Sequence, residues 1–386
     1  MDLISEKLDQ ATGLVQAAGV DAWLTLVRET SAGGDPVLPF LMEGGLVWDS
    51  ALVVFPNGER TAIVGRYDAE PLEKAGHWSM VVGYDQSVWP DLKDALANAK
   101  KVAVNFSDND VMADGLSHGM YRRLVANLPE ISFVSAEGIV GPLRGVKTST
   151  EVKRIHAAIA ETDRMFGDII AAAQPGTSER EIYDRVHHLA KARGLGFSWD
   201  PAGDPIVNCG PDSMIGHGIP SAAIRLSKGQ IFHIDLGLVK EGYSSDIQRC
   251  WFVGDEIPPE VSQAFEAVVA AIDAAANVLR PGVKGVEVDA AARASITESG
   301  YPEHQHAVGH QVGRGAHDGG AILGPAWERY GDTPFRPVRE GEIYTLELGV
   351  NVEGRGYLGL EEMVRVSQDG IEWLSDRQLD LPLLRG

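Results

Sequence analysis

Cysteine is nearly missing from this sequence: Cys209 and Cys250 are the only two in 386 residues. Two thiols cannot build a disulfide framework or a thiolate metal site, and such sparse usage leads us to expect a reducing, cytoplasmic location. Positive charge is also scarce, with 34 Lys and Arg against 55 Asp and Glu and a net charge of −21. A chain so acidic repels a phosphate backbone, and no Lys/Arg-rich run concentrates an opposing patch, so no nucleic-acid partner is expected. Long apolar runs are absent as well. Stretches such as Ala51–Phe55 fall far short of the roughly 20 residues a membrane helix needs. The first residues lack the basic, apolar, small-residue order of a secretory leader, so neither export nor a membrane partner is expected.

What is present is enough apolar material, 44% of residues, and enough length for two domains. An amphipathic start through Gly19 is followed by short β-like runs at 22–27, 52–55, 62–64 and 101–104, a pattern that predicts a small α/β domain over residues 1–143. Gly141-Pro-Leu-Arg-Gly145 reads as a linker. Beyond it, Ser149-Thr-Glu-Val opens a long helical pattern that Pro175-Gly176 ends. Ser178 and Glu181 fit a capping box for a second helix reaching about Arg193, on which His187 and His188 are expected to face solvent. Further on, β-like runs at 230–235, 248–253, 343–346 and 362–366 alternate with helices near 259–279 and 285–299, so residues 144–386 are expected to form an α+β domain.

Two of these runs bring carboxylates face to face. Ile231 to Phe252 reads as a hairpin, and a turn centred on Lys240-Glu241 would set Asp235 directly opposite Asp246. In the same way a turn Glu353-Gly354-Arg355 sets Glu347 opposite Glu361. Like charges directly opposed across a sheet destabilise it, so something must offset the repulsion twice. A divalent cation is the economical answer. Imidazole is near at hand, because the Gly-rich stretch 304–317 holds His304, His306, His310 and His317, four of the chain's eleven histidines. The glycines of 309–315 do not complete a dinucleotide-binding pattern.

The spacing of these residues resembles the pita-bread metallopeptidases, the family of methionine aminopeptidase, Xaa-Pro aminopeptidase and Xaa-Pro dipeptidase, with creatinase as a metal-free relative. The matching elements are Asp235-Leu-Gly, Gly242-Tyr-Ser-Ser-Asp246-Ile-Gln-Arg249, His310-Gln-Val-Gly313, Thr345-Leu-Glu347-Leu-Gly349 and Glu361-Glu362. The resemblance extends over the whole chain, because the proline-specific members also carry an N-terminal α/β domain ahead of the pita-bread domain. It implies Asp235, Asp246, His310, Glu347 and Glu361 as ligands of two divalent metal ions, manganese first, with cobalt or zinc as alternatives. Asp246 and Glu361 would bridge the two. It further implies His217, His306 and His317 as substrate-binding residues.

Three positions depart from the family pattern: Leu348 replaces a proline, Gln248 a threonine, and Gly359 an arginine common in proline-specific members. By resemblance the function is hydrolysis of an Xaa-Pro bond by a dimetal-activated hydroxide. Glu347 would shuttle the proton, and His306 and His317 would assist at the carbonyl. The substrate is expected to be a dipeptide and the protein a homodimer. The alternatives are an Xaa-Pro aminopeptidase acting on longer peptides, a creatinase-like C–N hydrolase, and a peptidase fold retired to binding.

Overall fold

The computed structural model describes residues 2–385 apart from residue 217, so the position expected of His217 lies outside the described residues. The chain divides into two compact units, residues 1–144 and 145–386.

In the first unit the elements run α1 (Leu3–Ala18), β1 (Ala22–Val27), β2 (Ser50–Val54), β3 (Arg60–Gly65), α2 (Arg66–Ala75), β4 (Met80–Tyr84), α3 (Trp89–Ala95), β5 (Lys101–Val104), α4 (His118–Asn127), β6 (Ser132–Ser135) and α5 (Glu137–Gly145). The strands form one sheet in the order β4-β3-β2-β1-β5-β6. Alternate residues of β1 enter two separate cores, Trp23 and Val27 with α1 and α5, Leu24 and Leu26 with α3 and α4. A sheet covered on both faces reads as a continuous apolar run, which is why β1 was plain in the sequence. The edge strands β4 and β6 are half-exposed, and their apolar signal is correspondingly weak.

One expectation fails here. The stretch 141–145 is not a linker but the last part of α5, because Ile139, Val140 and Leu143 fall on one helical face and are fully buried. Their burial outweighs the local content of glycine and proline.

In the second unit follow α6 (Ser149–Ile170), α7 (Glu179–Arg193), β7 (Gly196–Phe197), β8 (Ile206–Cys209), β9 (Gln230–Leu236), β10 (Leu238–Lys240), β11 (Tyr243–Ser244), β12 (Ile247–Val253), α8 (Pro259–Val278), α9 (Gly285–Glu298), β13 (Ile343–Val352), β14 (Gly356–Ser367), β15 (Gly370–Trp373) and β16 (Leu383–Leu384). Both α6 and α7 start with capping boxes, Thr148 with Glu151 and Ser178 with Glu181. The main sheet runs β13-β14-β12-β9-β8, with β15 beside β14 and β16 beside β12. Leu346, Leu348 and Val350 of β13 and Leu358 and Leu360 of β14 share a core with Val261, Ala264, Val268 and Ala271 of α8. The alternate residues of those strands therefore face the other way, and they include Glu347 and Glu361. Among the described residues α8 alone is long and apolar enough to cross a membrane, but its apolar side is committed to this core and Glu260, Glu266 and Asp273 lie elsewhere along it.

Candidate metal centre

The site is built on one transverse row of the main sheet. Asp235 on β9 pairs with Gln248 on β12, Gln248 with Glu361 on β14, and Glu361 with Glu347 on β13. Directly paired residues project from the same face, so three carboxylates and one amide stand side by side. The Glu347–Glu361 pairing is the one the sequence predicts, around the turn Glu353-Gly354-Arg355.

The other hairpin is shifted by two residues. Asp235 opposes Gln248, not Asp246, because the turn lies at Glu241-Gly242, with Lys240 paired to Tyr243. Glu241 and Gly242 have φ of 50° and 76°. A two-residue turn with both residues left-handed twists with the strands, and glycine takes the second position without strain. A shift of two preserves the facing, which is why Asp246 still reaches the cluster.

His310 closes the site. Its backbone N–H donates to Thr345 Oγ1 at 3.2 Å, and its carbonyl accepts from Thr345 N at 2.9 Å, so the threonine two residues before Glu347 holds the histidine segment against β13. The ring Nδ1 lies 3.0 Å from the Ala316 carbonyl, which can only accept, so Nδ1 is the donor there and in the neutral ring Nε2 presents its lone pair to the site. That nitrogen is 3.4 Å from Glu347, 3.7 Å from Asp246 and 3.8 Å from Glu361. Ligand atoms of Asp246, His310 and Glu361 all lie within 4.8 Å of one another.

Such a set is unstable alone. Asp246 is 5% exposed and Glu361 1%. Burial first, and then neighbouring carboxylates, drive the carboxyls of Asp235, Asp246 and Glu361 well above the ordinary range. Asp235 Oδ1 and Glu361 Oε1 are buried without a hydrogen-bond partner among the described residues. Orphaned oxygens and an imidazole nitrogen converging on one point fit divalent cations.

Of the two described histidines expected to bind substrate, His317 stands against this centre, and His304 is the further histidine that acts on Glu347. The His317 ring stands edge-on to His310 with centroids 4.4 Å apart, and it is exposed. His306, also exposed, lies on a segment held by Arg293, which donates to the carbonyls of His304 and His306, while Ala307 N donates to the Tyr330 hydroxyl at 3.0 Å.

Sequence reasoning missed the role of Gln248. Its amide donates to Glu347 Oε2 at 2.9 Å and to Glu361 Oε2 at 3.1 Å, and its Oε1 lies 3.1 Å from His233 Nε2. His233 is itself fixed by Asn208 at 2.9 Å. The signal was present, since a glutamine in place of the family's threonine lies between two acidic strands. Of the other departures, Leu348 points into the core with α8 and Gly359 lies on the site face. Two neighbouring residues explain themselves by strand alternation. Arg249 and Glu362 point away from Gln248 and Glu361 and form a buried ion pair at 3.0 Å, with Ser375 also donating to Glu362. His187 is not a solvent-facing histidine: it is stacked between Tyr183 and Phe197, and its Nε2 lies 2.8 Å from the Asp204 carbonyl.

An acidic sheet face completed by one oriented imidazole defines the class of metal-dependent hydrolases. The chain belongs to metallopeptidase family M24, whose profile matches residues 153–368. It is 30% identical to an Xaa-Pro dipeptidase of Pyrococcus horikoshii over 257 residues, 66% of this chain and 69% of that protein. The fold is that of dipeptidase PepE from Mycobacterium ulcerans, with a TM-score of 0.78, 24% identity and coverage of 100% of this chain and 98% of that one. It is shared with an X-Pro aminopeptidase from Thermotoga maritima at a TM-score of 0.72 and 24% identity, over 97% and 99% of the two chains. The pita-bread domain preceded by an α/β domain, expected from the sequence, is therefore the architecture of this chain, and the chain is a metal-dependent peptidase.

Proposed function

We propose that this enzyme hydrolyses the Xaa-Pro bond of dipeptides, with Asp235, Asp246, His310, Glu347 and Glu361 holding two divalent cations, manganese by preference. The observation that carries the reading is the convergence of His310 Nε2 on Asp246, Glu347 and Glu361, at 3.4 to 3.8 Å, beside a row that includes Asp235. Mixed carboxylate and imidazole donors suit manganese, with cobalt and zinc as substitutes. Identity to a named Xaa-Pro dipeptidase supports the choice of substrate. When bound, the cations supply Lewis acidity, polarising the scissile carbonyl and making water acidic enough to attack near neutral pH.

The protein's own groups do the rest. Glu347 accepts the proton of the attacking water and delivers it to the proline nitrogen as the C–N bond breaks. Gln248 holds Glu347 and Glu361 in place by donating to both. His306 and His317, both exposed, donate to the carbonyl oxygen as it gains charge. His217 completes the substrate contacts in this proposal. A homodimer in the cytoplasm is part of the same reading, and the two unpaired, buried cysteines are compatible with a reducing compartment.

The test is hydrolysis of an Xaa-Pro dipeptide by purified protein supplied with Mn²⁺ and then with EDTA. Cleavage lost on chelation is expected. Cleavage of longer Xaa-Pro peptides alone would move the assignment to an aminopeptidase. Metal-independent C–N hydrolysis would point to creatinase-like chemistry, and metal binding without any hydrolysis to a retired fold.

A further inference from the structure

One strand step from the acidic row, the β13–β14 part of the same face carries only glycines. His233 pairs with Cys250 there, and Gly359 pairs with Gly349. The two glycines leave a trough, and a single side chain fills it: Tyr357, two residues back along β14. A methyl group placed on Gly349 would lie 2.4 Å from the Tyr357 hydroxyl, and one on Gly359 would lie 2.5 Å from Cε1 of the same ring. His233 meets the ring edge-on, with centroids 5.1 Å apart at 88°. His233 is in turn clamped between Asn208 and Gln248, so the seat of the tyrosine is built from buried, hydrogen-bonded residues.

The ring is only half-buried, and its hydroxyl makes no hydrogen bond among the described residues. The ionisable groups it faces are Glu347, Cys250, Asp235 and Glu361. Burial, and then those groups, push the phenol above its ordinary range. The tyrosine ring occupies the space that a side chain at 359 would enter.

A dipeptide offers two kinds of oxygen acceptor, the scissile carbonyl and the terminal carboxylate, about 3.5 Å apart along an extended chain. When the carbonyl sits at the acidic row, the carboxylate falls between that row and the next, which is about 7 Å along the strands. An anion there, beside carboxylates, needs a donor. We propose that Tyr357 is a specificity-determining residue that donates its hydroxyl to the terminal carboxylate of the bound dipeptide. The proposal rests on the peptidase reading above and adds the group that recognises the short substrate.

Tyr357→Phe removes the hydroxyl and leaves the ring packed on the glycines. On an Xaa-Pro dipeptide, kcat/KM should fall about 10- to 100-fold, mainly through KM, as for a lost hydrogen bond to a charged group. On the corresponding Xaa-Pro amide the fall should stay below about threefold, because a neutral acceptor gains less from the donor. Mn²⁺ binding and Tm should be unchanged. Equal losses on acid and amide, or no loss on the dipeptide, would overturn the proposal. Wild-type enzyme that cuts dipeptides without proline but no Xaa-Pro dipeptide refutes the proline reading alone, and the acid and amide comparison on those substrates then decides the role of Tyr357. Wild-type enzyme that cuts only longer peptides overturns the proposal outright.

Discussion

His310 is useful because of what its far nitrogen does. With Nδ1 committed to the Ala316 carbonyl, Nε2 is the nitrogen aimed at three carboxyl groups. Glu347 differs from the other carboxylates by having a task beyond holding charge. Glu347→Gln keeps its shape and its place opposite Glu361 but removes the proton carrier, so kcat should fall by about 10³-fold, read by steady-state kinetics on an Xaa-Pro dipeptide. Gln248→Leu deletes the donor shared by Glu347 and Glu361. Mn²⁺ affinity, read by calorimetric titration, should drop about tenfold or more, as is usual when a group orienting metal ligands is lost. Unchanged affinity would show that Gln248 merely fills space.

At the scale of elements, the two hairpins show which registers a sequence reveals. The β13–β14 turn contains one glycine flanked by charged residues, and centring the turn on Gly354 gives the observed pairing. In the β10–β11 hairpin the polar residues Lys240 and Glu241 drew the turn one residue too early, whereas Gly242, with φ of 76°, marks its true second position. Gly242→Ala should therefore cost about 1 kcal/mol in unfolding free energy, and Gly242→Asn less, because asparagine tolerates the left-handed region. Denaturant unfolding of the two variants checks this ordering, and equal costs would argue against the turn. Helix ends were more legible. The boxes of Ser178 with Glu181 and Thr148 with Glu151 satisfy amides locally, so they do not depend on distant partners. Gln248, His233 and Tyr357 were illegible as a group because they meet only through strand pairing, and no spacing within one strand betrays it.

Across the whole molecule, stability and metal binding are linked. Without cations the carboxyls of Asp235, Asp246 and Glu361 are raised above their unfolded values, so they favour the fold while protonated. That contribution is intact at pH below the ordinary carboxylate range and is lost as pH rises through the raised values. The metal-free protein should consequently lose Tm as pH rises above the ordinary carboxylate range, whereas cations, which bind the ionised form, should stabilise the loaded protein increasingly in the same direction. Differential scanning fluorimetry with EDTA or Mn²⁺ reads the gap, which is expected to widen with pH. A constant gap would mean that the cations bind elsewhere.

Whether this one acidic face holds the cations is decided by counting manganese on equilibrated, gel-filtered protein by elemental analysis, wild type against Asp246→Asn. Two ions per chain in the wild type and fewer than one in the variant, whose altered residue would bridge both, is the expected result. Equal manganese content in the two proteins, with Xaa-Pro hydrolysis persisting in the variant, would contradict it.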